Sequence, residues 1–305
     1  MLNEAIHFLN CKPGKIYVDC TLGGSGHSMA ILEKIAPDGV LIGIDQDKDA
    51  IANAKEVLKP HASNIRLFHD NFVNLPSILS KLSIVAVDGI LLDLGISLQQ
   101  LESSGRGFSF KRDEPLDMRM NPESGVTAEN LANTLGKDRL SKIFKEYGEE
   151  RWARRIAREI VKVRKKKPIT SSLQLARIVS DTVPGRTSPS QRIHPATRVF
   201  MALRIAVNRE LECLDSFMKD AVDYFNLGGR LCALSFHSLE DRIVKHRIKA
   251  FEQRCTCPPK LPVCVCDKKQ VARSLAKKVV RPTEEEIAAN PLARSAKLRA
   301  IERIL

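Results

Sequence analysis

A glycine-rich turn that follows a short apolar run is the first stretch whose residue types could do chemistry. The run VDCTLGGSGHS, residues 18–28, contains Gly24-Ser25-Gly26. A dinucleotide fingerprint needs G-x-G-x-x-G, and Met29 stands at its third glycine position. No Gly-Lys-Ser/Thr follows, so the P-loop pattern is excluded. The turn therefore predicts a nucleotide-like ligand that brings no pyrophosphate to the loop.

Acidic side chains follow the next apolar runs in order. Asp45 ends GVLIGID, where a carboxylate can accept hydrogen bonds from both hydroxyls of a ribose. Asp70 ends NIRLFHD and Phe72 follows it, and this pair is placed to meet an adenine, while Asp93 ends VDGILLD. Each aspartate alone could be only a helix cap or turn former. Together with the glycine turn they predict an S-adenosylmethionine-dependent methyltransferase, with Asp93 close to the reacting sulfonium.

Strands and helices alternate in the first and last thirds of the chain. Apolar runs at 15–20, 39–45, 64–70 and 87–97 read as strands separated by helices, and KLRAIERIL reads as a final strand. This spacing predicts an α/β fold with a mostly parallel, doubly wound sheet. In the middle third of the chain, residues 108–209, only helical periodicity is found, including a long stretch over 137–166. We predict a class I (Rossmann-like) methyltransferase domain over 1–107 and 210–305, interrupted by an all-helical domain over 108–209.

Positive charge is concentrated in this middle segment. The chain has a formal net charge of +13, and residues 108–209 hold 22 Lys and Arg against 11 Asp and Glu. A localised positive field is typical of a nucleic-acid partner, although a basic surface can also serve only solubility. The apolar run 82–96 is too short to span a membrane, and MLNEAIHFLN does not resemble a secretory signal. We therefore expect a cytoplasmic protein with no membrane contact and no obligate protein partner.

Several longer motifs are similar to one known family. They are DCTLGGSGHS, GIDQD, DGILLDLGIS, RGFSF, PLDMRM, GEERWARRIAR, HPATRVFMALRIAVNREL, GGRLCALSFHSLEDRIVK and NPLARSAKLRAIER. They resemble, in order and over nearly the whole chain, the bacterial small-subunit ribosomal RNA cytosine-N4 methyltransferases (the RsmH or MraW family). The resemblance implies N4-methylation of a cytidine in the decoding region of 16S rRNA, with S-adenosylmethionine as cofactor and the small ribosomal subunit as partner.

The resemblance also implies roles for individual residues. The implied cofactor contacts are Ser25, Gly26, His27, Asp45, Phe72, Asp93 and Gln100, the last two near the methionine end. Candidate RNA contacts are Arg106, Arg112, Arg119, His194 and Arg198, some of which could instead form structural ion pairs.

The chemistry needs a hydrogen-bond acceptor for the cytosine amino group. The lone pair of N4 is delocalised into the ring, so the enzyme must align the group and let the nitrogen pyramidalise. This chain lacks the Pro-Pro-Tyr turn that many amino-methyltransferases use here. We expect Asp93 or a neighbouring backbone carbonyl to be the acceptor, with Phe236 or His237 contacting the extruded base. The alternative for His237 is a helix N-cap.

A cysteine cluster lies outside these motifs. Cys255, Cys257, Cys264 and Cys266 form C-x-C-x6-C-x-C, a spacing compatible with a structural zinc ion. The alternative is a proline-rich loop of reduced cysteines.

Two other functions are also compatible with these sequence features. One is a non-catalytic RNA-binding or ribosome-assembly factor on the same fold, which would not need Gly26, Asp45 and Asp93 together. The other is an N-methyltransferase that acts on DNA or protein.

Overall fold

The computed structural model describes residues 1–123, 125–184, 194–255, 257, 265–266 and 268–305. The chain divides into two compact units, Met1–Gly95 with Leu211–Leu305, and Ile96–Glu210. The second unit thus begins earlier than the segment 108–209 delimited by sequence. No helix among the described residues is long and apolar enough to cross a membrane.

The first part of the chain alternates helices and strands. In order these are α1 (Leu2–Leu9), β1 (Ile16–Asp19), α2 (Gly26–Ile35), β2 (Val40–Asp45), α3 (Lys48–Val57), β3 (Ile65–His69), α4 (Leu75–Lys81) and β4 (Val87–Asp93). Strands β1, β2 and β4 are mostly apolar and buried, as expected of parallel strands covered on both faces, whereas the edge strand β3 exposes Arg66 and His69.

The middle part contains helices, with one isolated bridge between Pro115 and Ser171 in the described residues. The helices are α5 (Leu98–Glu102), α6 (Ala128–Thr134), α7 (Lys137–Glu146), α8 (Ala153–Arg164), α9 (Ser172–Thr182) and α10 (Ala196–Asn208). They pack around their own apolar core, which includes Phe144, Ile156 and Leu203.

The long helical stretch predicted over 137–166 is two helices. Glu149 has a left-handed backbone (φ 48°), and its neighbour Gly148 lies so close to α10 that an added Cβ would be 2.6 Å from the Arg198 carbonyl oxygen. The Glu150 amide turns back to donate to the Phe144 carbonyl (3.0 Å). A continuous helix would require a right-handed backbone at Glu149, so the left-handed turn there explains the break.

The last part returns to alternation. It comprises α11 (Glu210–Asp220), β5 (Phe225–Ser235), α12 (Ser238–Glu252), β6 (Ala272–Ser274), α13 (Glu284–Ala289) and β7 (Lys297–Arg303). Across the described residues the sheet has the order β3-β2-β1-β4-β5-β7-β6. Strands β3 to β5 pair in parallel, and β7 pairs antiparallel with β5 and β6. The predicted fold class, a mostly parallel α/β sheet interrupted by helices, is confirmed.

The order of the strands locates the ligand-binding edge. The direction of winding reverses between β1 and β4, and a crevice opens at the carboxyl ends of the strands at such a switch point. Asp19 ends β1 and Asp93 ends β4, so both carboxylates lie at this point.

A turn in the second unit offers a test of packing. Gly107 has φ 72°, and an added Cβ would be 2.3 Å from the Pro115 carbonyl oxygen, whereas Gly105 has φ 66° with nothing within 4 Å. Gly107→Ala should therefore be less stable than Gly105→Ala by about 1–3 kcal/mol, because both suffer the left-handed penalty but only one clashes. Urea unfolding followed by the single tryptophan, Trp152 in this unit, measures the difference. Equal stabilities would contradict the close approach.

Candidate active site

The loop after β1 is held from beneath by a buried carboxylate. Asp19 is fully buried, and its Oδ2 accepts a hydrogen bond from Ser28 Oγ (2.6 Å) while its Oδ1 accepts one from the Thr21 amide (3.1 Å). Burial raises the pKa of Asp19, an effect that Ser28, His27 and Thr21 partly offset. Asp19 thus joins the start of the loop to the first turn of α2.

The loop itself ends in a strained backbone conformation. Ser25 precedes α2 with φ 65°, and its amide donates to the Leu22 carbonyl (2.6 Å). Its Oγ is buried, and within the described part of the chain it has no hydrogen-bond partner. Gly26 begins α2, where backbone amides are available to a ligand, and a Cβ added there would meet nothing within 4 Å. Backbone can therefore approach a ligand closely at Gly26, and the Ser25 hydroxyl lies next to it in the chain.

Asp45 closes the loop from the end of β2. Its Oδ2 accepts from the Gly23 amide (3.1 Å), and its Oδ1 accepts from the Asp47 amide (2.9 Å). Burial raises the pKa of Asp45 to about 6, against the lowering effect of these two hydrogen bonds. The carboxylate is thus positioned by backbone donors at the strand end, where the sequence predicted the ribose acceptor.

His27 and Asp93 face each other at the switch point. His27 Nδ1 lies 3.4 Å from Asp93 Oδ2, and the Asp93 amide donates to Thr21 Oγ1 (2.7 Å). Burial alone would lower the pKa of His27, but the hydrogen bond and charge of Asp93, with the charge of Asp19, raise it. His27 Nε2 and Asp93 Oδ1 are both buried and lack hydrogen-bond partners among the described residues.

These atoms identify the part of the edge that faces a ligand. Buried polar atoms in folded proteins nearly always have a partner. Ser25 Oγ, His27 Nε2 and Asp93 Oδ1 depart from that rule together, at the carboxyl ends of β1 and β4. A ligand rich in polar groups would satisfy them.

Phe72 is mainly a core residue. It follows β3, is 9% exposed, and packs edge-on against Phe217, with ring centroids 5.4 Å apart. Its neighbour Asp70 is occupied by the turn, because its Oδ1 accepts from the Asn71 amide (2.7 Å) and from Asn74 Nδ2 (2.6 Å). Only a small part of the Phe72 ring is therefore left for an adenine.

The SFHS segment after β5 forms a capped helix start. His237 is the N-cap of α12, and its Nδ1 accepts from the Glu240 amide (3.4 Å) while its Nε2 lies 3.0 Å from Glu240 Oε1. Glu240 Oε2 accepts in turn from the Phe236 amide (2.8 Å). A Cβ added to Gly95 would lie 3.4 Å from the Phe236 ring, so this ring packs beside the end of β4. The local geometry gives His237 the capping role.

Gln100, in the second unit, also caps a helix. Its side-chain oxygen accepts from the Ser97 amide (3.0 Å), and its own amide donates to Ser97 Oγ (3.1 Å). This capping box starts α5 and buries the Gln100 side chain.

Two of the candidate RNA arginines meet in the second unit. Arg106 Nη1 donates to the carbonyls of Arg119 (3.1 Å) and Met120 (2.9 Å). Arg119 forms a bidentate pair with Asp117, at 2.9 and 2.7 Å. The structure therefore uses both guanidinium groups to hold the PLDMRM turn.

The remaining candidates lie on more exposed positions of that unit. His194 stacks on Phe110 (centroids 4.5 Å apart), and its Nδ1 accepts from the Ala196 amide (3.2 Å) at the start of α10. Arg112 donates to the Glu102 carbonyl, and Arg198 lies 3.5 Å from the Glu149 carbonyl. Arg112 and Arg198 are both exposed residues.

Three residues that hold the candidate site in place were not predicted from the sequence. They are Asp19, Ser28 and Glu240. Asp19 had a signal, because a carboxylate at the end of an otherwise buried strand must be satisfied locally or face a ligand. His237-x-x-Glu240 and Ser97-x-x-Gln100 have the spacing of capping boxes, with histidine as an unusual N-cap in the first.

Comparison with known proteins assigns the family. The chain matches the model of the MraW methylase family over residues 1–304. It is 53% identical to Ribosomal RNA small subunit methyltransferase H of Desulfosudis oleivorans and 56% identical to the protein of that name from Desulforapulum autotrophicum. Each alignment spans 304 residues, 100% of this chain and 97% of the relative. A solved rRNA methylase from Streptococcus thermophilus aligns at 10% identity with a TM-score of 0.45, over 100% of this chain and 94% of the other. The resemblance predicted from the motifs is confirmed, and this chain belongs to the MraW methylase family.

Proposed function

We propose that this protein transfers a methyl group from S-adenosylmethionine to the N4 amino group of a cytidine in the decoding region of 16S rRNA. Family membership and relatives named for small-subunit ribosomal RNA methylation support the substrate class. The motif resemblance is the basis for N4 and for the decoding region. The structural observation that carries the proposal is a set of buried polar atoms on Ser25, His27 and Asp93 that have no hydrogen-bond partner in the part of the chain that the structure describes.

The residues at the sheet edge fit the proposed cofactor. Asp45 offers an ionisable carboxylate to the ribose hydroxyls, and the exposed edge of Phe72 offers an apolar contact to the adenine. At Gly26 no side chain stands between the backbone and the ligand, and Ser25 offers a buried Oγ that has no hydrogen-bond partner among the described residues. When bound, S-adenosylmethionine supplies a methyl group made electrophilic by its sulfonium. We place Gln100 near the methionine end through its motif, although its described hydrogen bonds are those of a cap.

Asp93 is our proposed acceptor for the cytosine amino group. His27 lies against Asp93 Oδ2 and leaves Oδ1 without a partner among the described residues. Oδ1 can accept a hydrogen bond from N4 and so direct its lone pair toward the methyl group. As N4 takes the methyl group from the sulfonium, which would leave as a neutral thioether, N4 loses one proton to Oδ1, from which the proton can pass to water. His27 thereby acts as a positioning residue, which fixes the orientation of the carboxylate.

Phe236 is our candidate for contact with the base. Its ring packs beside the end of β4, whereas His237 Nδ1 accepts from the Glu240 amide. His237 Nε2 is buried, lies 3.0 Å from Glu240 Oε1 and makes no hydrogen bond among the described residues. We therefore assign His237 the role of holding the turn that presents Phe236.

The helical unit is our candidate for RNA binding. Its α8 carries an exposed basic face beside an apolar one, and Lys165, Lys166 and Lys167 extend this face beyond the helix. Arg164 differs from these lysines because its Nη1 donates to the Ala132 carbonyl (2.7 Å) inside the unit. The exposed lysines can contact phosphates without disturbing the core, which gives affinity rather than sequence specificity.

Removing these lysines tests the electrostatic part of RNA binding. The triple change of Lys165, Lys166 and Lys167 to glutamine should weaken binding of all RNA sequences. The slope of log K against log salt should flatten by roughly 0.7–0.9 for each phosphate that the variant no longer neutralises. A filter-binding series in increasing KCl measures the slope. The matched control changes Lys55, Lys59 and Lys81 in the sheet unit, which are also exposed. An unchanged slope in the first variant, or equal flattening in both, would rule out the assignment.

The test of the proposed function is the modification itself. Small-subunit RNA from cells with and without the gene is digested to nucleosides and analysed by mass spectrometry. We expect N4-methylcytidine to be reduced or absent in the deleted strain and restored by the wild-type gene. Unchanged N4-methylcytidine, with a defect in subunit assembly, would instead support a non-catalytic binding factor.

A further inference from the structure

Three cysteines outside the candidate active site lie close enough to share one metal ion. The Sγ atoms of Cys255, Cys257 and Cys266 all lie within 4.8 Å of one another. The Sγ atoms of Cys255 and Cys266 are 3.7 Å apart. Zinc–sulfur bonds of about 2.3 Å in a tetrahedron place the sulfurs about 3.8 Å apart. The Cys255–Cys266 distance is thus close to one edge of such a tetrahedron.

Backbone donors in the same segment point at two of these sulfurs. The Cys257 amide donates to Cys255 Sγ (3.3 Å), and the Val265 amide donates to Cys257 Sγ (3.4 Å). An N–H donor stabilises a thiolate more than a neutral thiol, because the charged sulfur is the stronger acceptor. Thiolates are the form that binds metal, and outer hydrogen bonds of this kind orient metal ligands.

The ends of the segment are joined independently of the cysteines. Arg254 Nε donates to Gln270 Oε1 (3.0 Å), and the Val271 amide donates to the Phe251 carbonyl (2.9 Å). These contacts close the connection between α12 and β6 at its base. A metal held by Cys255, Cys257 and Cys266 would close it a second time, nearer its tip.

We propose that Cys255, Cys257 and Cys266 bind a structural zinc ion. Three convergent thiolates favour a soft ion, and they would supply three of the four ligands of a Cys₄ or Cys₃His structural zinc site. Each thiol releases its proton to solvent when the metal binds. Cys264 belongs to the same sequence pattern but lies outside the described residues, so the proposal rests on the other three. It is independent of the proposed methylation chemistry.

Metal analysis of the full chain tests the site. Protein purified without a metal-affinity step is analysed by inductively coupled plasma mass spectrometry, and we expect stoichiometric zinc. Cys255→Ser and Cys257→Ser should lose it. The control Cys213→Ser, on α11 and outside the cluster, should keep it. Absence of zinc, or a mass two daltons lower that shows a disulfide among these thiols, would overturn the proposal.

A second measurement does not depend on the folding of the variants. The wild-type protein is stripped with a chelator and titrated with cobalt(II). Tetrahedral thiolate ligation predicts thiolate-to-cobalt charge-transfer absorption together with intense visible bands. Zinc should displace the cobalt and remove both. A weak, octahedral-type cobalt spectrum would contradict the site.

Discussion

Replacing Asp93 with asparagine is expected to lower the rate of methyl transfer about 10²–10⁴-fold at saturating S-adenosylmethionine, the usual range for removal of an acid–base group. The reason lies in the contact with His27, whose Nδ1 is 3.4 Å from Asp93 Oδ2. An asparagine would direct its only oxygen to the imidazole N–H. Its NH₂ group would then face the cytosine amino group, donor against donor, and no carboxylate would remain to take the proton.

A carboxylate from the other end of the same strand is the matched control. Asp88 on β4 accepts from the Ile16 amide (3.0 Å) and from Asn226 Nδ2 (3.2 Å), away from the carboxyl edge. Asp88→Asn should keep near wild-type turnover. Single-turnover methylation with labelled cofactor, with circular dichroism to verify folding, makes the comparison. Wild-type turnover in Asp93→Asn would show that the carboxylate is not the acceptor.

The second large effect is expected at Asp45. Asp45→Asn should weaken S-adenosylmethionine binding by about 100-fold or more, because hydrogen bonds to a charged group contribute about 1.5–3 kcal/mol each. Isothermal titration calorimetry measures the change. Asp49→Asn, an exposed residue in the first turn of α3, removes a similar charge nearby and should leave the affinity unchanged. Equal affinities for Asp45→Asn and the wild type would remove Asp45 from the site.

The pH dependence of cofactor binding tests the same residue without a substitution. The pKa of Asp45 is raised to about 6 in the empty protein, and the ionised form is the better acceptor for ribose hydroxyls. The affinity should therefore be flat above about pH 7 and fall as the pH drops through 6, approaching about tenfold per unit from this group. The Asp45→Asn variant should lack that component. The raised pKa of Asp45 also affects folding. Protonation of Asp45 stabilises the protein without cofactor, so the free energy of unfolding falls as the pH rises through 6 and Asp45 ionises.

The main features of the sheet could be predicted because they depend on local pattern. Apolar runs ending in Asp45 and Asp93 are buried parallel strands whose carboxylates emerge at one edge, and that edge contains the switch point between β1 and β4. The glycine turn between β1 and α2 follows from the same pattern. The break between α7 and α8 could not be predicted, since it depends on how closely Gly148 approaches α10, a contact distant in sequence.

Side-chain partners were the least predictable part of the candidate site. Arginine is a residue type that commonly contacts RNA, which made Arg106 and Arg119 candidates. In the structure Arg106 donates to backbone carbonyls and Arg119 pairs with Asp117. His27 has the appearance of an ordinary helix-starting residue, and only the tertiary fold brings it to Asp93. Such pairings are decided by which polar groups remain unsatisfied after the core has packed, information that no local window contains.

Methylation of small ribosomal subunits by the purified protein tests the central claim most directly. Subunits from a strain lacking the gene are incubated with the protein and S-adenosylmethionine that carries a deuterated methyl group, and the RNA is digested for nucleoside mass spectrometry. We predict label in N4-methylcytidine with the wild-type protein, and labelling slower by about 10²–10⁴-fold with Asp93→Asn. Label in a carbon-5-methylated or ribose-methylated nucleoside, or no label at all, would contradict the proposed function.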